Sequence, residues 1–245
     1  MEDTFSIKDY CKGVKGLIFD YGGTLDTDGT HWGRVIWSAW QEAGVAASLP
    51  EFREAYVFAE RELARTRHIL PQHDFSDLLS VKINIELQWL AHQNKFPADQ
   101  VSVKSAEIAS ICNAAARKSV EAAVPVLEKL HSVYPMVVVS NFYGNLNKVL
   151  ETFGIRRLFK DVIESAVVGV RKPDDAIFSL GVKALSLSPE ECLVIGDSYD
   201  KDILPAQKAG CRAVLLKGLE WWGKVDTTDY NPSIEKLSEL ENFLL

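Results

Sequence analysis

Three apolar runs in this chain each end in residues able to do polar chemistry. After Gly16-Leu17-Ile18-Phe19 comes Asp20-Tyr21-Gly22-Gly23-Thr24-Leu25-Asp26, after Met136-Val137-Val138-Val139 comes Ser140-Asn141, and after Cys192-Leu193-Val194-Ile195 comes Gly196-Asp197-Ser198, with Asp202 beyond it. Lys172 stands apart, in Arg171-Lys172-Pro173 ahead of a helical stretch. An ionised aspartate such as Asp20 can attack phosphorus and hold it as an acyl phosphate, dividing one hard hydrolysis into two easier steps. Two carboxylates converging from separate strand ends can hold Mg²⁺, which neutralises a substrate phosphate and lets anion meet anion. Ser140 and nearby amides can bind phosphate oxygens, while Lys172 can offset charge on the nucleophile and the transferred group.

Such residues converge only if the runs before them lie side by side. Short apolar runs that stop abruptly at polar or glycine-containing turns are what strands buried on both faces of a parallel sheet look like. A fourth, Ala213-Val214-Leu215-Leu216, joins the three above. Helical spacing fills the gaps, with Ile177, Leu180, Ala184 and Leu185 in one stretch and Ile203, Ala206 and Ala209 in another, closed by Gly210. This alternation predicts an α/β fold, a Rossmann-like doubly wound parallel sheet. In open sheets of that kind ligands collect beyond the carboxyl ends of the strands, where the candidate residues fall.

Residues 31–117 break the alternation and read as helices. Trp32, Val35, Ile36, Ala39, Trp40 and Ala43 share a face, Gly44 supplies a stop, and further helices start near Pro50, Phe75 and Pro97. An all-helical block after the first strand predicts an inserted cap domain, residues 27–118, on a core of residues 1–26 and 119–245. Trp32 and Trp40 read as cap core, whereas His31, Arg34, Arg65, Arg67, His68 and His73 cannot be sorted between surface and site by pattern alone. Residues 1–13 read as an N-terminal extension. The tail past Gly218 carries Trp221 and Trp222 in a loop, then Pro232 and a predicted amphipathic helix through Ile234, Leu237 and Leu240.

Composition bounds the function. The chain has 245 residues, 47% hydrophobic and 25% charged, enough to bury a proper core. A net charge of -7 without a basic cluster argues against a nucleic-acid partner, whose phosphates need clustered Lys and Arg. The four cysteines are scattered and lack metal-ligand spacing, so they read as reduced thiols. An acidic start and the lack of an apolar run near 20 residues predict no membrane span and a cytoplasmic protein.

Taken together, the four stretches resemble the haloacid dehalogenase superfamily, specifically its members with a helical cap inserted after the first motif. The resemblance covers residues 14–26 and 119–245, with four motifs in the family's order. It implies Asp20 as nucleophile and metal ligand, the Gly22 backbone carbonyl as a second ligand, Ser140 and Lys172 as catalytic and substrate-binding groups with Asn141 beside them, and Asp197 as the remaining protein ligand to Mg²⁺. Asp202 is implied as a ligand or supporting partner, although its place at a helix start also suits a capping or dipole role. Asp26 and Asp28 read as turn residues. The activity implied is a Mg²⁺-dependent phosphatase acting on a small phosphorylated metabolite through an aspartyl-phosphate.

One departure matters: the family's phosphatases usually carry an acid-base aspartate two places after the nucleophile, and here that place is Gly22. General acid catalysis contributes about 10²- to 10⁴-fold, so its loss slows poor leaving groups without abolishing the chemistry. Two alternatives stand beside the phosphatase: a binding or regulatory protein with weak turnover, and a 2-haloacid dehalogenase. The dehalogenase places serine and asparagine where this chain has Gly196-Asp197, needs no metal, and expects a tyrosine where Phe178 stands. A phosphonate-cleaving relative needs an imine-forming cap lysine, and the sequence singles none out.

Overall fold

Each of the four apolar runs is a strand in a computed structural model, which describes residues 6–222 and 230–245. A short helix α1 (Ile7–Tyr10) precedes the central strand β1 (Gly16–Phe19). The other strands are β2 (Met136–Ser140), β3 (Asp161–Glu164), β4 (Cys192–Gly196), β5 (Arg212–Leu216) and β6 (Ser233–Ile234). All pair in parallel, in the order β3-β2-β1-β4-β5-β6, with Phe19 opposite Val138 on one side and Ile195 on the other. This is the doubly wound order in which the chain reverses direction beside β1, opening a crevice at the carboxyl ends of β1 and β4.

The runs are apolar throughout because both faces of the sheet are covered. Leu17, Phe19, Val138 and Ile195 point into one apolar cluster, and Ile18, Val137, Val139 and Val194 into a second on the opposite face. Burying a side chain of this size contributes roughly 1.5–3 kcal/mol, so the central strands are the best-held part of the molecule.

Between β1 and β2 the chain forms four helices: α2 (Trp32–Glu42), α3 (Leu49–Arg65), α4 (Phe75–His92) and α5 (Val101–His131). Their starts carry local signals, a Ser48/Glu51 capping box for α3 and an Asp74/Asp77 capping box for α4. Trp40, Phe52 and Leu87 of this insertion are fully buried in the same cluster as Leu17 and Phe19, so insertion and core share apolar contact. The helix α5 runs 31 residues without a break, and position 118, where a domain boundary is expected, lies inside it. Its last turns bury Val126, Leu127 and Leu130 in the cluster that covers β1.

After β2 come α6 (Leu146–Thr152), α7 (Ser165–Val168) behind β3, α8 (Ala176–Leu185), and a wide helical turn Tyr199–Ile203 leading into α9 (Leu204–Lys208). The Trp221-Trp222 loop bridges core and insertion. The Trp221 ring lies 5.2 Å from His31 and 5.1 Å from Tyr56, and the Arg34 guanidinium stacks 4.8 Å over Trp222. The N-terminal segment is tied down as well: Cys11 is buried, and the Tyr10 hydroxyl accepts the Ala213 N–H at 3.0 Å.

The carboxyl terminus departs from expectation. Ile234 belongs to β6, because the Lys217 N–H donates to its carbonyl and the Leu215 N–H to that of Pro232. Among the described residues of the tail, only a tight turn Leu237–Leu240 and the short α10 (Glu241–Leu244) are helical. The two sheet edges, β3 and β6, escaped the sequence reading for one reason: with two interior apolar residues in β3 and one in β6, neither makes a run.

Candidate active site

The residue that follows β1 inherits the strand's direction: the Asp20 N–H still donates to the Ile195 carbonyl at 2.9 Å, continuing the ladder with β4. Its carboxylate therefore points out over the carboxyl edge of the sheet. A tight turn follows, in which the Leu25 N–H returns to the Tyr21 carbonyl at 2.9 Å and the buried Asp26 carboxylate accepts the Gly23 N–H at 2.8 Å. Asp26 also accepts the Trp32 indole N–H at 2.9 Å, so the turn role expected for it extends to fixing the start of the helical insertion. Gly23 has φ +103°, and a Cβ there would sit 2.5 Å from the Asp197 carboxylate, so only glycine lets the turn pass this close to β4.

Asp20, Asp197 and Asp202 offer carboxylate oxygens that all lie within 4.8 Å of one another. Lys172, itself 4% exposed, reaches into the same space: its Nζ donates to Asp20 Oδ1 and to Asp202 Oδ1, each at 2.6 Å. Ser140, the last residue of β2, donates its hydroxyl to Asp20 Oδ1 at 3.0 Å. The expected residues Asp20, Ser140, Lys172, Asp197 and Asp202 thus come together at one rim of the sheet.

Asn141 is expected to meet substrate, yet its amide is committed to Lys172: Nδ2 donates to the Lys172 carbonyl at 3.0 Å and Oδ1 accepts the Lys172 N–H at 2.9 Å. This reciprocal pair holds the lysine backbone so that its side chain can reach Asp20. Asp202 holds Lys172 with its first oxygen and accepts the Ser198 N–H at 3.0 Å with its second. Capping the turn falls to Ser198, whose hydroxyl accepts the Lys201 N–H.

Thr24 is a site residue that motif reading passed over. Its buried hydroxyl lies 3.1 Å from both Asp20 Oδ2 and Asp197 Oδ1 and accepts the Asp197 N–H at 3.1 Å. One hydroxyl proton can serve only one carboxylate at a time, so Thr24 registers the β1 and β4 ends without neutralising them.

The charges do not balance, with three acidic groups facing one ammonium. Burial pushes the Asp197 carboxyl well above the usual range, helped by the Asp202 and Asp20 charges; burial raises Asp202 too, against the pull of Lys172. Burial works against the Lys172 ammonium, but the Asp20 and Asp202 charges outweigh it and hold its pKa above the ordinary lysine value. Clustered hard oxygen donors carrying excess negative charge suit a small divalent cation such as Mg²⁺. The residues present therefore fit that ion.

Above the cluster lies a cavity of about 1140 Å³ between the core and the helical insertion. His31, Arg65, Arg67 and His68 line it, whereas Arg34 is turned toward the Glu220 carbonyl and Trp222. His73 lies in the loop before α4, where its ring accepts the Leu70 N–H and its carbonyl holds Asn145. The cavity also brings together Glu60, Lys82 and Tyr143, which no sequence spacing connects.

Among the described residues no helix is long and apolar enough to cross a membrane. Residues 44% identical over a 66-residue stretch relate this chain to glyceraldehyde 3-phosphate phosphatase of Methanocaldococcus jannaschii, covering 26% of this chain and 29% of that protein. The chain spans about a third or less of the length of the curated relatives it matches first. Two solved structures share the fold over nearly the whole chain. A 2-haloacid dehalogenase from Pseudomonas syringae pv. Tomato DC3000 has TM-score 0.54 and 22% identity over 94% of this chain and 98% of that one. A HAD phosphatase from Thermococcus onnurineus has TM-score 0.51 and 22% identity, with the same coverage. The model of the haloacid dehalogenase-like hydrolases matches residues 14–210, a span holding every strand end and side chain of the cluster described above, and the chain belongs to that family of hydrolases.

Proposed function

We propose that the protein is a Mg²⁺-dependent phosphatase acting on a small phosphorylated metabolite, with Asp20 as nucleophile and the helical insertion as a cap over the site. The observation that carries this reading is the meeting of Asp20, Asp197 and Asp202 around one point with Lys172 on their flank. Asp20 and Asp197, with the Gly22 carbonyl, are the groups to hold the cation, and Asp202 supports them through Lys172. Bound there, Mg²⁺ supplies charge neutralisation for an incoming phosphate.

In the first step an Asp20 oxygen attacks phosphorus, the bond to the leaving oxygen breaks, and that oxygen takes a proton from solvent. In the second, water attacks the aspartyl-phosphate at phosphorus, releasing inorganic phosphate and restoring the carboxylate. Ser140 and Lys172 are both bonded to Asp20 Oδ1, so Oδ2, which meets the shared Thr24 hydroxyl, is the less engaged oxygen and the one to react. Lys172 remains charged throughout and faces the phosphoryl oxygens as negative charge gathers on them.

A dehalogenase attacks carbon and needs no cation to bring its substrate to the nucleophile, whereas three clustered carboxylates suit a metal ion that neutralises phosphate; the acidic cluster favours phosphate. Imine chemistry in the cap is disfavoured by the state of its buried lysine. Burial works against the Lys82 ammonium, but Glu60 and its neighbours hold the pKa well above the ordinary value, and an ammonium has no lone pair to form an imine. Gly22 favours a second reading, a protein that binds phosphorylated metabolites with little turnover. Magnesium-dependent release of phosphate from p-nitrophenyl phosphate separates the two. The phosphatase reading expects turnover that Asp20→Asn abolishes, and equal rates in the two proteins remove Asp20 from the mechanism.

A further inference from the structure

Glu60 of α3, Lys82 of α4 and Tyr143 of the loop after β2 form a second polar group lining the same cavity as the Asp20 cluster. Lys82 has only 5% of its side chain exposed; its Nζ donates to Glu60 Oε1 and lies 4.2 Å over the Tyr56 ring. The Tyr143 hydroxyl donates to the same Oε1 at 3.1 Å. All three line the cavity, and Glu60, with 38% of its side chain exposed, is the more open member of the ion pair. Burial raises the Glu60 carboxyl, but Lys82 and Tyr143 outweigh it and hold it below the ordinary glutamate range, so both members of the pair are charged.

Buried ion pairs rarely add net stability, because taking both charges out of water costs about as much as their attraction returns. A pair placed beside a cavity, with its carboxylate open to it, is suited to bind what enters. Its net charge is zero, which limits what charge can gain there: a carboxylate meets the open Glu60 oxygen and is repelled, while the attraction an ammonium finds at that oxygen is partly offset by Lys82 behind it. Glu60 Oε2, which the Tyr143 hydroxyl meets only at 3.4 Å, keeps lone pairs to which a hydroxyl can donate with neither penalty. Apart from Lys82 itself and Lys172 in the Asp20 cluster, the Lys and Arg side chains lining the cavity, Arg65, Arg67, Arg171 and Lys201, are exposed, so solvent weakens them.

We propose that Glu60, charged and aimed by Lys82 and Tyr143, is a specificity-determining residue that reads hydroxyl groups on an uncharged leaving group, so that the substrate is the phosphate monoester of a neutral polyol. The inference rests on the phosphatase reading of the same cavity.

The test compares glycerol 3-phosphate, phosphoglycolate and O-phosphoserine, whose leaving groups are a neutral diol, a carboxylate and a zwitterion. With Mg²⁺, kcat/KM of the wild type should favour glycerol 3-phosphate by at least about 10-fold over the other two. The double variant Glu60→Gln/Lys82→Met, which removes both charges and strands neither, should bring the three within about 3-fold of one another. Tyr143→Phe, which leaves the ion pair intact, should erode the preference by about 3-fold, and it keeps the test open should the double variant fail to fold. A wild type that favours a charged leaving group, or a preference unmoved in the variants, overturns the proposal. Titration calorimetry of the same three phosphates against Asp20→Asn protein, with and without the cap substitutions, reads the preference independently of turnover. Selective binding without any hydrolysis sinks the phosphatase and spares this assignment, and turnover without selectivity does the reverse.

Discussion

The substitution Gly22→Asp restores an acid where the family's phosphatases usually carry one, and the structure sets what it can do. Gly22 is exposed, does not adopt the left-handed conformation, and a Cβ built on it meets nothing within 4 Å. The aspartate therefore enters without a clash, and exchanging glycine there stabilises the fold by roughly 0.4–1 kcal/mol through the unfolded chain. A positioned general acid lowers the barrier to leaving-group departure by about 10²- to 10⁴-fold. The lower end applies, because an exposed aspartate near its ordinary pKa of about 3.9 is mostly ionised at neutral pH. A gain of about 10²-fold corresponds to roughly 2.7 kcal/mol of barrier. It should be confined to alkyl phosphates, whose leaving groups need a proton, and should be larger near pH 6 than near pH 8. The assay is kcat/KM for glycerol 3-phosphate and p-nitrophenyl phosphate at both pH values, in wild type and variant. Equal factors for the two substrates, or a loss in both, would show that leaving-group protonation is not what the glycine costs this protein.

Other predictions follow from the charge balance. Lys172→Met should lower kcat by about 10²- to 10³-fold, since it removes the cation beside the transferred phosphoryl group. Because that ammonium sits 2.6 Å from two of the three carboxylates, its loss should tighten Mg²⁺ binding, read by calorimetry; weaker binding would mean that the carboxylates are held together by the lysine alone. Glu86 is fully buried, and burial pushes its carboxyl from 4.5 up to about 8, with Lys82 opposing. The sign follows from protons bound: between those values the folded chain holds a proton that the unfolded chain has lost, so stability falls as pH rises from 4.5 to about 8. Glu86→Met should flatten that slope and, at pH 7, add no more than about 3 kcal/mol, visible as a higher Tm. A slope unchanged in the variant would assign the pH dependence elsewhere.

What could be read in the sequence was chemistry attached directly to strand ends. Asp20, Ser140 and Asp197 directly follow or end apolar runs, and a parallel sheet carries such positions to one edge whatever the side chains do. The helical insertion was legible for a similar reason, since capping residues and 3.6-residue periodicity are local, and α4 begins at Phe75 where its signals begin. Contacts that depend on rotamers were not legible: the Asn141 clamp on the Lys172 backbone and the double reach of Thr24 need three-dimensional register between segments 31 and 173 positions apart. The Glu60-Lys82-Tyr143 group joins two helices and a core loop with no shared spacing, and each residue alone reads as an ordinary polar surface residue. Edge strands β3 and β6 stayed hidden because edge position removes the need for a continuous apolar run.

The central claim is that Asp20 becomes phosphorylated in a site completed by a divalent cation. Acid-quenched turnover mixtures with p-nitrophenyl phosphate, digested and examined by mass spectrometry, test it most directly. The account predicts a phosphoryl increment on the peptide containing Asp20, present with Mg²⁺, absent when the metal is chelated, and absent in Asp20→Asn. Phosphate release at full rate with no adduct, or undiminished in Asp20→Asn, would contradict it.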